Sequence, residues 1–223
     1  MKKYLYIFLA ASFLLLSACK ASDPDTKSTA EEVPTAEITA TEAFESNITE
    51  PAAPLLPLPQ ENTEFSFLSG AGGWRTVMIL NPDGSFTGRY SDSEMGEIGE
   101  EYPHGSVYIC DFSGKFENPE KLNDFSYTMT LAELTTERPA GEEWIEDSIR
   151  YVASDPFGLV DPMENRECTD FILYLPETPV DQVPEDFLTW WPYRYSEGSE
   201  ARTTLSCYGI LNVATGYGFF TAA

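Results

Sequence analysis

Between Val107 and Phe116 the chain alternates in character: Tyr108, Cys110, Phe112 and Phe116 fall on one side, and Asp111, Ser113 and Lys115 on the other. A period of two is the pattern of a strand with one buried face, and a helix cannot sort these residues the same way. Residues 126–134 repeat the pattern with Tyr127, Met129 and Leu131. Shorter runs bounded by turn residues surround them. Residues 74–80 read as the first strand, Asn81-Pro82-Asp83-Gly84 as a turn and 85–90 as its partner, with later strands at 149–153, 171–175, 203–213 and 217–221. Many short strands and few helical stretches imply a mainly β fold.

Two of these strands echo each other. Phe86-Thr87-Gly88-Arg89-Tyr90 and Phe112-Ser113-Gly114-Lys115-Phe116 share aromatic, hydroxyl, glycine, cation and aromatic in order. Glycine inside a strand marks a bulge, a bend or a close approach, and two at matching places fit a sheet that coils. One short helix is expected within 180–191, where Pro184, Glu185 and Asp186 suit a first turn, capping an open end or an edge of the sheet. Residues 142–148 suit either a helical turn or a strand. The expectation is a single antiparallel domain over 63–223, barrel-like or a strongly twisted meander. Its 161 residues are enough for one core.

The N-terminal third differs. Lys2 and Lys3 precede an apolar stretch of 13 residues from Tyr4 to Leu16, the layout of a secretory signal peptide and too short to cross a bilayer as a helix. Leu16-Ser17-Ala18-Cys19 resembles the lipobox of bacterial lipoproteins. The resemblance implies that residues 1–18 are removed, that the Cys19 sulfur carries a diacylglyceryl group, and that acyl chains such as palmitate hold the protein on the extracytoplasmic face of the cell membrane. Residues 19–62 are rich in Thr, Ala, Pro and Glu and read as a disordered tether, with a reach of roughly 35 Å. Leu55, Leu56 and Leu58 are the residues in it best suited to pack on the domain.

Within the domain, Gly72-Gly73-Trp74 resembles the Gly-x-Trp opening of lipocalin-like barrels, which places that tryptophan on the first strand. The stretch 70–116, with Tyr174-Leu175-Pro176 and Phe187-Leu188, is similar to domains of uncharacterised Gram-positive lipoproteins, a resemblance that carries no activity.

Charge narrows the partners. The domain holds nine Arg and Lys against 28 Asp and Glu, a formal −19, which repels nucleic acid and anionic head groups. The remaining candidates are an envelope protein, a peptide or a glycan, besides the membrane reached through the lipid anchor. No cofactor motif occurs: Gly70-Ala71-Gly72-Gly73 precedes a strand and lacks the Gly-Lys-Ser/Thr of a phosphate loop.

Trp74, Trp190, Trp191, Tyr193 and Tyr195 are the candidate ligand-binding residues, because Trp and Tyr offer flat apolar faces with polar tips. Asp92, Glu94, Glu97, Glu100 and Glu101, interrupted by Gly96 and Gly99, could fold as an oxygen-rich calcium loop, although the EF-hand spacing is absent. His104, the single histidine, lies in a turn-like Tyr-Pro-His-Gly run without a nucleophile motif beside it, so no catalytic residue is assigned. Carboxylate pairs for a glycan hydrolase cannot be picked from so many acids. Beyond Cys19, the three cysteines Cys110, Cys168 and Cys207 allow one Cys168–Cys207 disulfide or three reduced thiols. The functional expectation is a membrane-anchored binding module. A carboxylate-dependent hydrolase and a structural envelope protein are the alternatives.

Overall fold

Alternation gives every strand two faces, and in the computed structural model, which describes residues 55–195 and 200–223, those faces become the inside and outside of a closed barrel. The expected signal peptide, Cys19 and the expected tether as far as residue 54 lie outside the described residues. The strands are β1 (Thr63–Leu68), β2 (Trp74–Leu80), β3 (Ser85–Glu94), β4 (Ser106–Asn123), β5 (Ser126–Thr136), β6 (Glu143–Glu146), β7 (Ile149–Ala153), β8 (Val160–Asp161), β9 (Arg166–Glu167), β10 (Asp170–Tyr174), β11 (Gly209–Asn212) and β12 (Gly218–Phe220). Eight of them, β1 to β5 and β10 to β12, run antiparallel around the barrel in chain order, and β1 meets β12 to close it.

The remaining strands decorate this meander. The β6–β7 hairpin attaches to the start of β4, with β7 parallel to it and Val107 opposite Tyr151. β8 and β9 form a small separate ribbon. The ambiguous stretch at 142–148 is therefore strand. Trp74 opens β2 and not the first strand, because β1 precedes it.

Inward-facing residues fill the barrel. Phe65, Phe67, Met78, Leu80, Phe116, Phe171, Leu173, Ile210 and Phe219 are each almost wholly buried. Phe67 is the hub at one end, where its ring centroid lies 4.8 Å from Trp74, 5.5 Å from Phe157, 5.0 Å from Trp190, 5.1 Å from Tyr217 and 5.4 Å from Phe219. Phe157 comes from the loop after β7 and is held there by its carbonyl, which accepts from the Thr76 hydroxyl at 2.8 Å. The next carbonyl, Gly158, accepts from the buried Asn212 side-chain amide at 2.8 Å. At the other end Leu56 enters the core, 4% exposed, and its N–H donates to the Pro82 carbonyl at 2.7 Å. Leu58 packs against the same core and Leu55 stays in solvent. The last residues of the tether therefore belong to the fold.

The short helix is α1 (Glu185–Thr189), preceded by a 3₁₀ turn at Val180–Gln182. It does not cap an end or an edge. Phe187 and Leu188 pack on the outer face of β10–β12 against Tyr174, Leu211 and Phe220, forming a second apolar layer. That wall is thus buried on both sides.

The repeated Phe-x-Gly pattern has a reciprocal explanation. β3 and β4 pair so that Phe86 lies opposite Gly114 and Phe112 opposite Gly88. A Cβ on Gly88 would sit 2.3 Å from the Phe112 ring, and one on Gly114 would sit 2.5 Å from the Phe86 ring and 2.2 Å from the Glu133 carbonyl oxygen. Each phenyl ring occupies the space over the other strand's glycine. Gly88→Val is expected to cost about 1–3 kcal/mol through overpacking. Gly70→Ala, where the added carbon meets nothing within 4 Å, is expected to be near neutral. Denaturant midpoints of the two variants check this.

Candidate functional site

Buried side chains pack the inside of the barrel, and depressions lie on its outside. A depression of about 690 Å³ lies between the outward face of β1 and the excursion that joins β10 to β11. Its floor includes Phe220, and Trp190, Pro192 and Tyr193 form one bank. Glu64, Ser66 and Leu68 from β1 form the other, with Pro59, Gln60, Ser206, Tyr208, Thr221 and Ala222 extending it toward the Leu56 end. Alternation sets the β1 bank: Phe65 and Phe67 point inward, so Glu64, Ser66 and Leu68 must point out.

The opposite bank is rigid because α1 is anchored by Phe187 and Leu188. Trp190 follows at the end of the helix, where its N–H donates to the Phe187 carbonyl at 3.0 Å. Its ring rests on Phe67 and Tyr217, at 5.0 and 5.7 Å between centroids, and is partly exposed to the groove. Arg194 pairs with Glu185 at the start of the helix, at 2.5 Å, which braces the stretch carrying Tyr193.

Of the five aromatics expected to bind a ligand, Trp190 and Tyr193 line this groove. Trp74 faces the core and is part of the Phe67 cluster. Trp191 is 3% exposed and belongs to the layer beneath α1. Tyr195 is exposed and pairs with Ala201 in an isolated bridge, away from the groove lining. Sequence reasoning missed Glu64, Ser66 and Tyr208. The alternation of Thr63–Leu68 could have revealed the first two as the outer face of a strand.

Glu64 is the one charged side chain in the lining, and it has no ion pair or side-chain hydrogen bond among the described residues. A single carboxylate does not supply the acid and base or nucleophile of glycoside hydrolysis.

A second depression of about 290 Å³ lies beneath the β6–β7 hairpin. Several of its groups contact one another: Arg89 lies 3.6 Å from Asp111, Trp144 stacks on Tyr151 at 5.2 Å, and the Arg138 guanidinium covers Trp144 at 4.5 Å.

The acidic loop between β3 and β4 is organised around an arginine. Arg150 reaches Glu97 at 2.6 Å and donates to the Ser106 hydroxyl at 3.1 Å, and the Tyr108 hydroxyl also donates to Glu97, at 3.0 Å. These donors, Arg150 first, hold the Glu97 carboxyl below its ordinary range. Glu94 accepts from the Gly96 N–H, Asp92 lies on β3 opposite Trp74, and Glu100 and Glu101 point to solvent. No three metal-ligating side chains converge among the described residues. His104 sits in the turn before β4, with its N–H donating to the Ser148 carbonyl at 3.1 Å.

Cys110, Cys168 and Cys207 are free and buried. The Cys168–Cys207 pairing is not formed, because Cys168 packs inside the barrel and Cys207 under α1, on opposite sides of the wall. Burial pushes the Cys110 thiol up to about 12 and Cys207 to about 11, and raises Cys168 as well. Since the thiolate is the reactive form, the native protein at about pH 8 is expected to resist Ellman's reagent at all three positions. In guanidinium all three should react within minutes. Rapid labelling of the native protein would contradict this packing.

Compared with known protein families, curated proteins and solved structures, the chain matches none.

Proposed function

We propose that this protein is a membrane-anchored extracytoplasmic binding module, tethered through lipidated Cys19 and recognising its partner in the groove between β1 and the α1 excursion. The groove carries the reading. It presents Trp190 and Tyr193 on a braced wall, opposite a carboxylate with no ion pair among the described residues, on the outside of a barrel whose inward-facing side chains are buried against one another. Aromatic rings held rigid give contact area at little entropic cost. The lipobox resemblance and the leader pattern at residues 1–18 support the anchor.

Two measurements test the two halves. Labelled palmitate fed to producing cells is expected to enter the wild-type chain and not Cys19→Ser, and equal labelling would exclude this anchor. A thermal-shift screen of peptides and glycans against the full chain is expected to give stabilising hits that Tyr193→Ala or Glu64→Gln weakens. Hits indifferent to both variants would place recognition elsewhere.

A further inference from the structure

At the groove the barrel is left partly unzipped. β1 and β12 share a single registered pair, Ser66 with Phe220. Continuing that antiparallel register would place Glu64 opposite Ala222, yet no such pair forms, and both residues line the groove. On its other edge the chain after β12 continues the β11 register, where the Thr221 N–H donates to the Tyr208 carbonyl at 3.1 Å. From Thr63 to Phe65, β1 is therefore registered with β2 alone, opposite Leu80, Ile79 and Met78. This is a short stretch of sheet edge inside an otherwise closed barrel.

A sheet edge offers backbone N–H and C=O groups that an added strand can complete. A sugar stacked on the rings would leave that edge unused. An extended peptide uses both, because its backbone pairs with β1 while alternate side chains reach the two banks. Charge selects the peptide: Glu64 stands unpaired at this edge, the lining has no cation, and the surrounding domain carries a formal −19.

Building on the groove reading above, we infer that the groove takes an extended cationic peptide segment that adds to β1 as a short strand. A lysine or arginine of that segment sits opposite Glu64, and an apolar residue lies against Trp190 and Tyr193. About three residues span the open edge from Thr63 to Phe65 at ~3.3 Å each.

The test is hydrogen exchange by mass spectrometry on the full chain in nonionic detergent, with three probes: an acetylated and amidated (Val-Lys) tetramer repeat, its (Val-Glu) counterpart and chitohexaose. The Val-Lys peptide is expected to slow exchange across residues 63–68 several-fold, to bind about tenfold more tightly than Val-Glu, and to weaken as salt rises. Binding of Val-Lys without protection of 63–68, or equal binding of Val-Glu, would overturn strand addition. If chitohexaose binds in a Tyr193→Ala-sensitive manner and Val-Lys does not, strand addition falls and the groove reading stands. If no probe gives Tyr193-sensitive binding, both fall.

Discussion

Phe67→Ala is expected to destabilise the domain by about 3–5 kcal/mol, the range for truncating a fully buried aromatic. The ring is 1% exposed and meets five other aromatic rings. Its loss opens a cavity that the surrounding strands cannot collapse to fill, because their positions are fixed by the ladder on either side. Edge-to-face and stacked contacts add to the area term, about 0.5–1.5 kcal/mol for each pair. A melting temperature lower by about 6–20 °C follows for a domain of this size. A shift of only a degree or two in calorimetry would mean that the aromatic plug does not hold the end of the barrel. Trp190 rests on the same ring, so the variant is also expected to loosen one bank of the groove.

Leu56→Ala is expected to cost about 2–5 kcal/mol, whereas Leu55→Ala changes stability by less than about 0.5 kcal/mol. The neighbours differ in one respect: Leu56 is buried in the core at 4% exposure and Leu55 is 64% exposed. Paired chemical denaturation curves separate them, and equal effects would return residues 55–58 to the tether. The contrast bears on the anchor as well. If the proposed lipid anchor holds, its pull would reach the core through Leu56 and its hydrogen bond to the Pro82 carbonyl.

The expectation of a mainly β, barrel-like domain is met, and the reasons lie in particular residues. β4 and β5 were legible because one face is buried and the other wet, so Phe112, Phe116, Met129 and Leu131 stand out against their polar neighbours. β11 was not legible in its bounds. It is buried on both faces, so Gly209-Ile210-Leu211-Asn212 does not alternate, and the expected strand at 203–213 shrinks to four residues. The glycine echo was visible, but its meaning required the register that sets Phe86 over Gly114 and Phe112 over Gly88.

Placement was harder than type. Phe187 and Leu188 marked a short helix, while the surface that receives them is assembled from Tyr174, Leu211 and Phe220 on three strands. Nothing local in the sequence says which side of the sheet that is. The same limit hid the site. Trp190 and Tyr193 announced themselves by composition, but Glu64 reaches them only through the closure of β1 on β12, a contact between opposite ends of the domain. Trp191, adjacent in sequence to Trp190, turns into the core, and composition alone could not divide the pair.

The proposed recognition at the outside of the seam is tested most directly by a matched pair of charge reversals. Glu64 and Glu120 are both exposed and without an ion pair among the described residues, but Glu64 lies in the groove and Glu120 on β4, away from the groove lining. Each reversal changes the net charge equally. Titration of the (Val-Lys) peptide into each full-length variant should show binding weakened about fivefold or more by Glu64→Lys and by less than about twofold by Glu120→Lys. Equal weakening by the two would show that the peptide senses only the overall negative field, and would contradict a site at the seam.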